Sequence, residues 1–222
     1  MSTSQTDFEQ ARFNMIEQQV RTWEVLDQRV LDTMNRIPRE NFVPEQYRSL
    51  AFADIDIPIG NGQVMMPPKL EGRLLQALSI TPEDSILEVG TGSGYLTACL
   101  ASLGKHVSSI DIVPEFTATA GTRLADQGIS NVSLETADVA NGLSTSEKYD
   151  VIAVTGSLPL LQKQFHESLK TGGRLFVITG KLPIMEALLI TRINKNNWSQ
   201  ECLFETCIPP LEHASKPQGF VF

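Results

Sequence analysis

Cysteines and clusters of basic residues are both scarce in this chain of 222 residues. Cys99, Cys202 and Cys207 are an odd number without the spacing of a metal site, so we expect small apolar packing residues in a reducing compartment and no bound metal. No Lys/Arg-rich run occurs, and 26 acidic residues against 18 basic ones give a formal net charge of −8. Such a surface repels phosphate backbones, which makes nucleic acid an unexpected partner.

Long apolar runs are also absent. The longest, such as residues 187–190 and 152–154, have the length of strands, whereas a membrane-spanning helix needs roughly 20 apolar residues. The first residues, MSTSQTDFEQARF, lack the basic start and apolar stretch of an export signal. The hydrophobic share of 41% and the charged share of 20% are ordinary for a globular protein. We therefore expect one domain over residues 1–222, in the cytoplasm and without membrane contact.

Residues 1–80 predict helices followed by a loop-rich, lid-like region. Apolar residues recur near a period of 3.6 in FEQARFNMIEQQV (8–20) and in VLDQRVLDTMNRI (25–37), which indicates two helices, the second ending at Pro38. Prolines and glycines interrupt the pattern between Phe42 and Pro68, which favours loops outside the core. A third helix is predicted to begin near Pro68 and to include LEGRLLQAL.

Residues 81–212 alternate between strand and helix patterns and form the predicted core. The strand candidates are SILEV (85–89), HVSSID (106–111), VSLET (132–136), YDVIAVT (149–155) and GRLFVIT (173–179), with helices expected at 95–103, 114–127 and 158–169. This alternation predicts a doubly wound, mostly parallel α/β sheet. The segments EALLITRI (186–193) and CLFETCI (202–208) are too close for a crossover, so they are predicted to add an antiparallel edge hairpin and complete seven strands. Residues 213–222 remain as a tail.

A glycine-rich turn joins the first strand of this core to its helix. In ILEVGTGSGYLTACLA, Gly90 permits the tight turn, Gly92 lets backbone approach a ligand, and Gly94 lets helix and strand pack closely. The spacing G-x-G-x-G after Glu88 differs from the G-x-G-x-x-G of dinucleotide enzymes, so an NAD-dependent oxidoreductase is disfavoured. These residues and Thr91 within the turn are candidate cofactor-binding residues.

Acidic residues follow the next two strands. Asp111 ends the second strand, where a carboxylate suits the two hydroxyls of a ribose, and Ile112 follows it. Asp138, after the third strand, is placed to accept from an adenine amino group, with Val139 covering the ring. A solvated strand end and a turn-forming residue are the respective alternatives for the two aspartates. Thr155, at the carboxyl end of the fourth strand, completes the candidate set.

The glycine turn and the two aspartates together resemble a class I S-adenosylmethionine-dependent methyltransferase. The surrounding sequence is similar to the protein-L-isoaspartate O-methyltransferases from about Arg12 to Leu211, in the segments PRENFVP (38–44), DIDIPIGNGQ (54–63), LEVGTGSGYLTACLASL (87–103), NVSLETADVANG (131–142), LKTGGRLFVITG (169–180) and IPPLE (208–212). The resemblance implies S-adenosylmethionine as cofactor. It also implies a peptide or protein substrate, methylated in a protein-repair reaction on a carboxylate of an altered aspartyl residue.

The chain departs from this family directly after its Gly-Gln pair. The family continues with Thr-Ile-Ser, whereas this chain has Val64, Met65 and Met66, so that Met66 takes the position of the serine. In the family this segment lines the meeting point of cofactor and substrate. Met66 is therefore the candidate at the catalytic position, and Ile59, Gln63, Val64 and Met65 are substrate-side candidates.

Loss of the hydroxyls is expected to slow methyl transfer without abolishing it. A carboxylate acceptor is already ionised near pH 7 and needs no general base. Alignment of the reacting atoms contributes up to about 7–11 kcal/mol, whereas a lost hydrogen bond to a charged group costs roughly 1.5–3 kcal/mol. The alternatives are an apolar pocket for another acceptor, Met66 as packing filler, and a cofactor-binding sensor or assembly partner without turnover.

Three further features complete the interpretation. His106 and His166 are expected to be structural, whereas His213, close to the predicted ligand side, is a substrate-side candidate. Ser157 is predicted to cap the following helix, with a replacement hydroxyl at the ligand side as the alternative. The aromatic tail at residues 220–222 is open to docking on its own domain or on a partner, and the oligomeric state stays undetermined.

Overall fold

The structure is a computed structural model that describes residues 3–143 and 147–216. Its α-helices are α1 (Thr3–Met15), α2 (Gln28–Arg36), α3 (Pro68–Leu78), α4 (Tyr95–Leu103), α5 (Pro114–Asp126) and α6 (Lys163–Glu167). Strands β1 (Ile57–Gly60) and β2 (Gln63–Met65) form a small antiparallel hairpin. The strands of the main sheet are β3 (Ser85–Val89), β4 (His106–Asp111), β5 (Val132–Thr136), β6 (Tyr149–Leu158), β7 (Leu169–Lys181), β8 (Ile184–Arg192) and β9 (Trp198–Thr206).

The main sheet has the order β5-β4-β3-β6-β7-β8-β9. Strands β3 to β7 pair in parallel, and β8 and β9 continue the sheet as antiparallel neighbours. The chain therefore runs outward from β3 in one direction to β5, returns to β6, and continues outward in the other direction. The predicted doubly wound α/β fold with a C-terminal edge hairpin is confirmed.

Each face of the sheet carries its own apolar core, because successive residues of a strand point to opposite faces. In β3, Ile86 belongs to a core with the N-terminal helices, α3 and α4, whereas Leu87 and Val89 belong to a second core on the other face. The near-continuous apolar composition of the central strands follows from this burial on both sides.

The region between Phe42 and Pro68 was predicted to lie outside the core, and this prediction is wrong. Phe42, Ala51 and Ile57 are completely buried, and all three pack with the N-terminal helices. Proline and glycine correctly indicate short pieces, here 3₁₀ turns and the β1-β2 hairpin. They do not indicate which way the apolar side chains between the turns point.

Strand β6 also differs from its prediction. It continues to Leu158, and α6 spans only Lys163–Glu167 of the predicted helix 158–169. The residues at 208–211 supply backbone partners that extend the strand: the N–H of Ser157 donates to the carbonyl of Pro209 at 2.9 Å, and its carbonyl accepts from Leu211 at 3.0 Å. The Ser157 hydroxyl donates to the carbonyl of Ile208, so it neither caps a helix nor reaches the ligand side.

Two further expectations concern membrane-spanning helices and the aromatic tail. Within the residues that the structure describes, no helix combines the length and the apolar character needed to cross a bilayer. The aromatic tail at residues 220–222 lies outside the described residues.

Helix α3 packs closely on the N-terminal helical region at Gly72. A Cβ atom at this position would lie 2.9 Å from Cγ1 of Val20 and 3.2 Å from Cγ2 of Val25, both of which are completely buried. Since well-packed interiors leave little room for an added methyl group, the glycine sets the distance between these elements.

We expect Gly72→Ala to lower the free energy of unfolding by about 1 kcal/mol. Overpacking a core costs about 1–3 kcal/mol, which exceeds the roughly 1 kcal/mol by which alanine is the better helix residue. Urea denaturation measures the change. In the control Gly121→Ala on α5, the new Cβ meets only Cδ1 of Leu134, at 3.4 Å, so the free energy of unfolding should rise. Equal effects of the two substitutions would contradict this account of the packing.

Candidate active site

A cleft of about 780 Å³, open to solvent, lies at the carboxyl ends of β3, β4 and β6. This is where the strand order reverses, and ligands of doubly wound folds bind at such a point. The glycine turn after β3 and the loop after β5 contribute to its walls, and the β1-β2 hairpin and residues 208–212 enclose it from above.

The glycine turn is held tightly against the neighbouring strand β6. A Cβ atom on Gly90, whose φ is +100°, would lie 2.1 Å from Oγ1 of Thr155. That hydroxyl donates to the carbonyl of Gly90 at 2.7 Å and lies 3.0 Å from the carbonyl of Val89. Gly92, with φ of +50°, lines the cleft opposite Ile59. Only glycine at these positions leaves both the turn and the space above it intact.

The carboxylate of Asp111 links the glycine turn to β4. Its Oδ2 accepts from the N–H of Gly92 at 2.8 Å, and its Oδ1 accepts from the N–H of Val113 at 2.9 Å. The side chain lines the cleft, as does Ile112. Each carboxylate oxygen keeps a further lone pair for a hydroxyl donor. The structure therefore places a fixed, acceptor-rich group where the sequence predicts a ribose.

Asp138 and Val139 line the cleft at the loop after β5, and their place beside an adenine stays a prediction. Oδ2 of Asp138 lies 2.7 Å from Nδ1 of His213, and this hydrogen bond raises the pKa of the histidine. Asn141 binds the same C-terminal segment, since its side chain donates to the carbonyl of His213 and accepts from Ser215. His213 therefore lies next to Asp138 and, among the described residues, outside the cleft lining; its assignment to the substrate side stays a prediction.

Glu88 lies beneath the glycine turn and does not line the cleft. Its Oε2 accepts from the hydroxyls of Thr97 at 2.5 Å and Ser109 at 2.6 Å, and the Ser109 hydroxyl in turn lies 2.7 Å from that of Thr91. Burial raises the pKa of Glu88 to about 8. Glu88 and Thr91 therefore support the turn from below, which corrects their assignment as residues in direct contact with the cofactor.

Gly94 also stays outside the cleft lining. It precedes α4, and a Cβ atom there would lie 2.9 Å from Cβ of Ala120 on α5. Gly94 therefore allows close packing of α4 against α5, whereas the sequence predicted close packing of helix and strand. It does not line the cleft, which corrects its assignment as a residue in direct contact with the cofactor.

The predicted substrate-side residues divide between the cleft and the core. Ile59, Gln63, Val64 and Met66 line the cleft. Met65 does not, because it points into the N-terminal core and is 4% exposed. Its assignment as a substrate-side residue is therefore corrected. Met66 lines the cleft but is only 8% exposed and belongs to the same core, so it also serves as packing.

Several cleft residues escaped the sequence analysis. The C-terminal segment lines the cleft with Ile208, Pro209, Pro210, Leu211 and Glu212. Glu212 accepts a hydrogen bond from the side chain of Gln63 at 3.1 Å, so this segment meets the hairpin above the cleft. The family-like sequence IPPLE was the available signal for these residues, but nothing in its pattern indicated which cavity it faces.

Phe116 and Asp56 were missed as well. Phe116 follows the predicted ribose side in the first turn of α5 and lines the cleft. Asp56 lines it before the hairpin, and burial together with the nearby charge of Asp54 raises the pKa of its carboxyl. Among the described residues, all charged side chains that line the cleft are acidic: Asp56, Asp111, Asp138 and Glu212.

Comparisons with known proteins agree with this geometry. The sequence model of the protein-L-isoaspartate(D-aspartate) O-methyltransferase family matches residues 10–211. The protein-L-isoaspartate O-methyltransferase of Koribacter versatilis is 38% identical over 187 residues, which are 84% of this chain and 84% of that protein. The protein-L-isoaspartate O-methyltransferase 2 of Marinobacter nauticus is 34% identical over 212 residues, which are 95% and 97% of the two chains.

Solved structures support the fold independently. A Plasmodium falciparum protein, described as a protein-L-isoaspartate O-methyltransferase in complex with S-adenosyl-L-homocysteine, superposes with a TM-score of 0.77 at 20% identity and covers 90% of this chain and 98% of that one. Another protein-L-isoaspartate O-methyltransferase gives a TM-score of 0.75 at 23% identity, over 90% of this chain and 65% of that one. Since the family match extends over most of the sequence, the chain belongs to the protein-L-isoaspartate (D-aspartate) O-methyltransferase family.

Proposed function

We propose that this methyltransferase transfers a methyl group from S-adenosylmethionine to a carboxylate of an altered, isoaspartyl residue in a peptide or protein, as a step of protein repair in the cytoplasm. The observation that carries the proposal is the cleft itself. A glycine turn, the fixed carboxylate of Asp111 and the carboxylate of Asp138 line one opening in a chain of this family.

The residues present fit the cofactor. Gly90 and Gly92 have no side chains that would fill the cleft. A Cβ atom on Gly90 would collide with Thr155, and one on Gly92 would point toward Ile59. Asp111 offers oxygen acceptors suited to two ribose hydroxyls, and Asp138 offers one suited to an adenine amino group. When bound, S-adenosylmethionine supplies an electrophilic methyl group on a sulfonium.

A carboxylate acceptor agrees with the side chains around the cleft. It is ionised near neutral pH, so the protein has no proton to remove before the transfer. Consistent with this, no histidine lines the cleft among the described residues, and His213 is bound to Asp138. The contribution left to the protein is to hold the acceptor in line and to exclude water, which Ile59, Val64 and Met66 do with apolar surface.

The acceptor end of the cleft is open to solvent, as a peptide acceptor requires. It lies between the β1-β2 hairpin and residues 208–212, and among the described residues a side-chain hydrogen bond from Gln63 to Glu212 joins these two segments. Met66 favours a second candidate, a methyltransferase for a less polar acceptor, because a thioether replaces a hydroxyl at this wall.

Asp111→Asn is expected to weaken binding of S-adenosylhomocysteine by at least about tenfold, since hydrogen bonds to a charged group contribute about 1.5–3 kcal/mol. Isothermal titration calorimetry measures the affinity. Asp126→Asn, an exposed position at the end of α5, is the matched control and should leave the affinity unchanged. Equal affinities of both variants and the unmodified protein would contradict the role of Asp111.

The unmodified protein is expected to incorporate base-labile methyl groups from radiolabelled S-adenosylmethionine into an isoaspartyl peptide and not into its aspartyl counterpart. Met66→Ser should raise kcat/KM for that peptide by about tenfold or more, because it restores a hydrogen bond near a charged acceptor. Met65→Ser, whose side chain points into the core, should bring no such gain.

Activity on the isoaspartyl peptide in Met66→Ser alone would show that the natural enzyme uses the second, less polar class of acceptor. Absence of methylation in all variants that bind S-adenosylhomocysteine would refute the proposed acceptor altogether.

A further inference from the structure

A buried arginine lies beneath the acceptor end of the cleft and joins four parts of the chain. Arg39 is completely buried; its Nε donates to the carbonyl of Ala51 at 2.7 Å and its Nη2 donates to the carbonyl of Met66 at 2.7 Å. Its Nη1 pairs with the carboxylate of Glu71 on α3. Its guanidinium also lies over the ring of Tyr95 on α4, 4.8 Å from the centroid.

Glu71 forms a buried ion pair with this guanidinium. The side chain of Glu71 is 2% exposed and pairs directly with Arg39. Because a guanidinium stays charged in proteins, a buried one needs a carboxylate and well-placed acceptors. Removing one member of a buried pair leaves the other uncompensated. The orientation of Arg39 toward its two carbonyl partners therefore depends on Glu71.

Met66 is the point at which this pair meets the cleft. Its carbonyl accepts from Arg39, and the residue lines the cleft while most of its surface is buried in the N-terminal core. The residue lies in the short link between β2, which ends at Met65, and α3, which begins at Pro68. A hydrogen bond to the main chain of so short a link fixes where the Met66 side chain points.

We propose that Glu71 is a positioning residue for the acceptor: acting through Arg39, it holds Met66 in place at the acceptor wall of the cleft. The inference rests on the proposed function, because it assigns the ordering of that enzyme's acceptor end to a carboxylate that does not itself line the cleft.

The environment of Glu71 gives the role a dependence on pH. The groups that face Glu71 are Arg39 from the 3₁₀ turn Arg39–Asn41, Tyr95 and Cys99 from α4, and Glu88 from β3. Burial raises the pKa of Glu71 to about 7, and the charge of Arg39 opposes that shift. Glu71 is therefore ionised above this pH, where it pairs fully with Arg39, and neutral below it. The KM for the acceptor should fall as the pH rises through about 7.

The test compares Glu71→Gln with Glu40→Gln. Glu40 is a matched control because its carboxylate, 7% exposed, is also in a buried ion pair, with Arg12, and does not line the cleft. In Glu71→Gln, kcat/KM for the isoaspartyl peptide should fall by about 10- to 100-fold, since a misplacement of roughly 1 Å has effects of this size. Calorimetric affinity for S-adenosylhomocysteine should stay within about twofold in both variants.

Two readouts distinguish positioning from general destabilisation. The inflection near pH 7 in the acceptor KM should be present in the unmodified enzyme and absent from Glu71→Gln. Hydrogen exchange measured by mass spectrometry should become faster at residues 60–67 in Glu71→Gln and not in Glu40→Gln. If Glu71→Gln does not fold, Glu71→Asp takes its place in the exchange measurement, because the shorter side chain changes the pairing with Arg39 and keeps the charge. Unchanged exchange at residues 60–67 then overturns the inference.

An equal loss of kcat/KM in Glu40→Gln, or unchanged exchange at residues 60–67 in Glu71→Gln, would also overturn it. Failure of the proposed function has a different signature. In that case the unmodified protein does not methylate the isoaspartyl peptide, while hydrogen exchange at residues 60–67 still reports whether Glu71 orders the Met66 link.

Discussion

The glycine turn keeps its shape because both neighbouring strands bind its backbone. From β4, Asp111 accepts the N–H of Gly92, and from β6, the Thr155 hydroxyl donates to the carbonyl of Gly90. Beneath the turn, Glu88 holds two hydroxyls that connect β3, β4 and α4. A turn fixed from three sides needs little reorganisation when a ligand enters, and such preorganisation raises affinity by reducing the entropic cost of ordering. The acidic residue on β4 therefore holds the turn and also lines the cleft.

The opposite wall of the cleft is built from segments of a different kind. The hairpin and residues 208–212 meet through one hydrogen bond between Gln63 and Glu212, whereas the floor belongs to a parallel sheet packed on both faces. Both segments are also anchored in the N-terminal core, the hairpin by Ile57 and Met65 and the C-terminal segment by Ile208. Arg39 orders this wall from the protein interior, because it donates a hydrogen bond to the carbonyl of Met66 in the link between β2 and α3.

The sequence predicted regular elements well and side-chain directions less well. Strand β3 and helix α4 agree with prediction to the residue, because a short apolar strand, a glycine turn and a glycine stop leave little choice. Glu88 was assigned to the cofactor, but it lies on the same face of β3 as Ile86, which α4 covers. The two-residue period of a strand therefore already argued against contact with the cleft. His213 could not be placed, because its position depends on a long-range bond to Asp138.

The replacement of a hydroxyl by Met66 is consistent with retained chemistry when the demands on the acceptor wall are considered. Methyl transfer to a carboxylate requires alignment and exclusion of water more than proton transfer, and an apolar side chain serves both. Among the described residues, the charged side chains that line the cleft are all acidic, which disfavours an approaching carboxylate unless part of the cost is offset elsewhere. A bound S-adenosylmethionine would bring the positive charge of its sulfonium into this cleft, which would offset part of that cost. From the interior, Arg39, paired with Glu71, donates to the carbonyl of Met66 and holds the backbone there.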